Sequence, residues 1–146
     1  MTQSISTKKW TIMVYLAGDN NLSEDMVTAL KGMQSVGSNT NINLLACYDS
    51  VHPMIPITYY QFKEADEDRP LSSYGVEEIP VETEGAQAPT KILNDFVKWC
   101  SEEHPARNYI LILSGHGDGI RGKTILSDEN PFSTVSLVQW RKTLEK

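Results

Sequence analysis

Seven consecutive residues near the start of the chain, Trp10 to Leu16 (WTIMVYL), carry no charge and are mostly β-branched or aromatic. A strand with one wet face alternates apolar and polar residues, and this run does not. It therefore predicts a strand covered on both faces, as in the interior of a parallel sheet. Parallel neighbours need crossover connections, and the sequence supplies one. After AGDNN, residues Leu22, Met26, Ala29, Leu30 and Met33 share one helical face, Glu24 and Asp25 suit the N-terminal dipole, and Gly37 ends the pattern. Ile42 to Tyr48 (INLLACY) is a second buried strand closed by Asp49. Strand, helix and strand follow within about forty residues, as in a right-handed crossover unit.

The alternation continues with one interruption. Ile57 to Lys63 predicts an edge strand, Val76 to Val81 its antiparallel partner, and ADEDRP a solvated loop. A second helix opens at Ala88-Pro89-Thr90, repeats Ile92, Leu93, Phe96, Val97 and Cys100 at helical spacing, and stops at Pro105. Asn108 to Gly119 (NYILILSGHGDG) is a third buried strand that runs into a glycine-rich turn. Ile125 and Leu126 predict a short strand, and Pro131 to Lys146 a last amphipathic helix offering Val135, Leu137, Val138, Trp140 and Leu144. The fold class is α/β with a mostly parallel sheet, in one domain over residues 1–146.

The formal charge of −6 and scattered lysines and arginines give no basic stripe, which excludes nucleic acid as the expected partner. No stretch approaches membrane-spanning length and no signal-peptide core follows Met1, so the expectation is a cytoplasmic chain with no membrane partner. Cys47 and Cys100 fall inside a strand and a helix, which suits reduced, buried thiols. No Cys/His spacing resembles a zinc site and no loop carries the spaced carboxylates of an EF-hand, so the residues require no metal or other cofactor.

Doubly wound sheets bind ligands at the carboxyl ends of their strands. Asp19, Asn20, Asp49, Ser114 and His116 all fall at such ends, which makes them the candidate site. Two readings compete for the glycine-rich turn. Gly117 to Thr124 (GDGIRGKT) matches the phosphate-loop pattern and would bind a nucleotide, but that loop must open a helix, and Ile125 to Pro131 (ILSDENP) does not sustain one. The other reading takes His116 as a catalytic base. Gly115 and Gly117 remove the side chains that would block its approach to a substrate, and the Gly117 amide is free to face a developing oxyanion. A non-catalytic α/β binding or regulatory module, with the His-Gly turn as a plain structural turn, is the further alternative.

WTIMVYLAGDNNL followed by YILILSGHGDG resembles the clostripain family of cysteine peptidases, within the caspase-like group. The resemblance implies a caspase-like α/β/α sandwich, incomplete in this chain and completed by a second chain or segment. It implies that His116 is the catalytic histidine, with Gly117 on the oxyanion. Asp19 and Asn20 fall in the family's Asp-Asn-Asn-Leu segment, and Ser114 just before the histidine. The family's nucleophile lies on the next strand in an Asp-Ala-Cys type of sequence, and no such segment occurs here. The resemblance thus implies a cysteine-bearing partner chain from the same precursor, cleavage of peptides or proteins after Arg or Lys, and self-processing, for which Lys146 is a fitting position. It also brings in calcium, which some members bind.

Overall fold

The computed structural model describes residues 7–52, 54–64, 76–82, 87–116, 124–129 and 132–136. Elements run in the order β1 (Lys8–Gly18), α1 (Ser23–Val36), β2 (Ile42–Ser50), β3 (Thr58–Phe62), β4 (Val76–Pro80), α2 (Pro89–Glu103), β5 (Ala106–Ser114), β6 (Thr124–Glu129) and β7 (Phe132–Ser136). The first five strands form one sheet in the order β4-β3-β2-β1-β5, and β6 pairs with β7 separately. β1 is parallel to both neighbours, and Val14 lies opposite Ala46 on one side and Ile112 on the other. The unbroken apolar run of Trp10 to Leu16 is thus explained by position: β1 is central and helices cover both faces.

Side chains alternate across that strand and divide the core in two. Met13, Tyr15 and Ala17 join Leu45, Cys47 and Tyr59 beneath Ile92, Leu93, Phe96 and Cys100 of α2. Val14 and Leu16 join Leu44, Ala46, Tyr48 and Phe62 on the opposite face, against Met26 of α1, with Leu22, Leu30 and Met33 partly buried beside them. Helix α1 ends at Gly37, whose φ of 69° lies in the left-handed region that favours glycine. Its amide donates to the carbonyl of Met33 at 2.9 Å. The start of β5 is fixed from below: Thr11 Oγ1 donates to the carbonyl of His104 at 2.6 Å, and Asn43 Nδ2 donates to Thr11 Oγ1 at 3.1 Å.

One expectation is refined and one changes. The segments Ile57 to Lys63 and Val76 to Val81 do form an antiparallel pair at one side of the sheet, with β4 rather than β3 outermost among the described residues. Tyr59 and Phe62 are buried in the core clusters on the two faces of the sheet. The amphipathic helix expected from Pro131 does not begin there, because Phe132–Ser136 is strand β7, antiparallel to β6. Phe, Thr and Val favour strands, and the serines between them are poor helix formers. Residues 137–146, including Lys146, lie outside the described residues, as does the ADEDRP run. The opposite edge of the sheet is β5, on which Tyr109, Ile110 and Ile112 are exposed.

Candidate active site

β1, β2 and β5 point the same way and finish level: Leu16 faces both Tyr48 and Ser114, and Gly18 faces Ser50. The loops leaving these strands therefore share one edge, as the sequence predicts for Asp19, Asn20, Asp49, Ser114 and His116. The side chains differ in what they do there.

Asn20 is buried and builds the loop after β1. Its Nδ2 donates to the carbonyl of Ala17 at 2.8 Å, and its Oδ1 accepts from the Leu22 amide at 2.9 Å. The Asn20 carbonyl also accepts from the Ser23 amide at 3.3 Å, at the first residue of α1. Such local side-chain bonds set a tight turn, and here they carry the chain from a strand to a helix within four residues. Gly18 is needed for a neighbouring contact. A Cβ at this position would meet Tyr48 Cε2 at 2.5 Å and the Asp49 carbonyl oxygen at 2.8 Å. With that space open, the Tyr48 ring passes beneath the turn and its hydroxyl shares a 2.5 Å hydrogen bond with Ser23 Oγ, both groups buried.

Asp19 and Asp49 are both buried at the ends of β1 and β2. Burial first, and the charge of Asp19 second, push the Asp49 carboxyl up to about 6. Ser114 is half-buried, and its hydroxyl points at Met26 Sδ of α1, 3.6 Å away. His116, two residues beyond β5, is exposed, and its Nε2 lies 2.5 Å from Asn21 Oδ1 in the loop after β1. Asn21 is a residue the sequence reading passed over. The side-chain bonds of Asn20 are what place it, and its position in Asp-Asn-Asn-Leu, directly before the helix, was the available signal.

Gly117 and the rest of the turn to residue 123 lie outside the described residues. From Thr124 the chain is strand β6. A phosphate loop opens a helix at that point, so the nucleotide reading loses the amide-lined helix start on which it depends. Cys47 and Cys100 are fully buried, and burial raises both thiols well above their ordinary values; Asp49 adds to the effect at Cys47. Neither is a nucleophile, since reactivity needs exposure and a lowered pKa. Among the described residues no cluster of three or more His, Cys, Asp or Glu side chains could hold a metal ion, and no helix is long and apolar enough to cross a membrane.

Known proteins resemble this chain in sequence and in fold. The chain is 25% identical over 131 residues to clostripain of Hathewaya histolytica, an alignment covering 80% of this chain and 25% of that protein. The structure superposes on an inactive zymogen C11 protease from Parabacteroides distasonis with a TM-score of 0.57 and 27% identity, over 78% of this chain and 32% of that one. It also superposes on a secreted C11 cysteine protease from Bacteroides thetaiotaomicron, solved with an irreversible peptide inhibitor. There the TM-score is 0.67 and the identity 22%, over 94% of this chain and 39% of that one. The sequence thus spans between a quarter and two-fifths of these relatives, which fits the incomplete sheet. The description of the clostripain peptidase family matches residues 14–131, from the central strand through the histidine turn, and the chain belongs to that family.

Proposed function

We propose that this chain supplies the histidine half of the active site of a clostripain-type cysteine endopeptidase, whose cysteine comes from a second chain or segment of the same precursor. The observation that carries the reading is the placement of His116. It stands exposed at the carboxyl end of a parallel strand, beside the loop that leaves the central strand. The chain's own cysteines are both buried, so a thiol able to react with a substrate has to come from elsewhere. The next strand has a place to pair, because among the described residues β5 ends the sheet, with Ile110 and Ile112 exposed.

In this reaction the partner's thiolate attacks the carbonyl of an Arg or Lys residue and a tetrahedral oxyanion forms. The Gly117 amide is one donor to that oxygen. His116 gives its proton to the leaving amine as the C–N bond breaks, then takes one from the water that attacks the acyl-enzyme. The acidic pocket for a basic substrate side chain is expected mainly in the partner, with Asp19 and Asp49, buried at the strand ends, as contributors.

His116→Ala in the complete, cysteine-bearing protein should lower hydrolysis of Arg- and Lys-containing peptides by roughly a thousandfold or more while leaving the fold intact. Retained turnover in that variant sinks the assignment. Intact-mass measurement of the same protein tests maturation. A fragment ending at Lys146 is expected when the cysteine is present and not when it is replaced.

A further inference from the structure

We infer that Asn21 is the positioning residue of the site, fixing the ring orientation and tautomer of His116 through its side-chain amide. The inference deepens the peptidase reading and rests on it for its kinetic consequence, but the tautomer itself is a property of this chain.

The two residues are 95 positions apart and meet because β1 and β5 are parallel neighbours that end level. The contact is short, 2.5 Å between His116 Nε2 and Asn21 Oδ1. With Asn21 Oδ1 turned to the ring, Nε2 is the nitrogen that carries the proton and donates, because an amide oxygen only accepts. The proton is then absent from Nδ1 in the neutral ring, which leaves Nδ1 as the lone pair that takes and returns protons. Second partners of this kind set which nitrogen of a histidine does the chemistry.

The anchoring of Asn21 is what lets it act. Both side chains are exposed, and an exposed hydrogen bond between two free side chains would hold little. Asn21 is not on a free loop. Asn20 pins the preceding residue with two side-chain bonds, and α1 begins two residues later at Ser23, itself tied to the buried Tyr48 hydroxyl. The acceptor is thus held by the central strand and the first helix, while the base is held by β5. Asn20 and Asn21 thus decide whether the imidazole arrives with the correct nitrogen free.

The test has two independent readouts. The chain contains three histidines, so the His116 imidazole nitrogens can be assigned by NMR with His116→Ala as reference. In the neutral ring the wild type should carry its proton on Nε2, and Asn21→Ala should show a mixture of tautomers. In the complete protein, Asn21→Ala should lower kcat about tenfold or more with KM within about twofold, the loss expected for one misplaced catalytic hydrogen bond. Asn21→Asp, which keeps an acceptor oxygen, should recover most of it. Wild-type kcat in Asn21→Ala, no recovery in Asn21→Asp, or an Nδ1-protonated wild type each overturns the inference. Activity surviving in His116→Ala overturns the peptidase reading instead, and the NMR result still decides the role of Asn21.

Discussion

Asp49 holds a carboxyl in a place that disfavours its charge, and the consequence is a stability that depends on pH. Its acid group titrates near 6 in the folded chain against an ordinary value of 3.8. Below the ordinary value both states carry the proton and the group is neutral. As pH rises toward 6 the unfolded chain releases the proton freely and the folded chain resists, so stability falls through this window and levels off above it. The shift corresponds to a cost on the order of 2–3 kcal/mol at neutral pH. Asp49→Asn should therefore raise the melting temperature at pH 7 and flatten the decline between pH 4 and pH 6.5, measured by thermal denaturation against wild type. An unchanged slope would assign the burden to other groups. At this scale the sequence placed its candidates at strand ends that the sheet brings level, and could not assign the labour among them. It named Asp19, Asn20 and Ser114 as binding residues. Burial and hydrogen bonding show Asn20 shaping a turn and Ser114 facing Met26. Which way a side chain points at a strand end follows from register and loop geometry, and neither is written in residue type.

The elements were legible wherever periodicity was long and its causes were local. The period of α1, its stop at Gly37, and the proline-opened start of α2 all reappear at or within a residue of the expected positions. The elements that differed were short. Which of β3 and β4 lies outermost depends on their pairing, across a connection whose sequence shows no regular period. The start of the last segment, FSTVS, obeys strand propensity over the helical spacing of Val135, Leu137 and Val138. Of the helices, α2 has the more deeply buried face. Phe96 is fully buried, with its ring 5.3 Å from Tyr59 and 6.2 Å from Trp99. Phe96→Ala should cost about 3–5 kcal/mol in urea denaturation, because it removes the transfer gain and leaves a cavity between helix and sheet. Val36→Ala, at a site 70% exposed on the end of α1, should stay within about 0.5 kcal/mol. Equal losses would mean that α2 repacks.

At the scale of the whole molecule, the two thiols report on integrity. Both are sealed between β2, α2 and the aromatic cluster around Tyr59, and both are held protonated. Native protein should leave Cys47 and Cys100 unmodified by a thiol reagent under conditions that label them fully in denaturant, as read by mass spectrometry. Rapid native labelling of either would show that helix α2 opens. The separation in sequence of the paired strands has a different consequence, one of timing. Thr11 and Asn43, on β1 and β2, are 32 residues apart, whereas the Asn108 bond to Lys9 that registers β5 spans 99. Closing the longer loop costs roughly 1 kcal/mol more, and distant pairings form late. Loop-closure entropy alone therefore favours the β1–α1–β2 unit forming before β5 joins it. His116 reaches Asn21 only when β5 docks, so on this order a partly folded chain has a core before it has the His116–Asn21 contact.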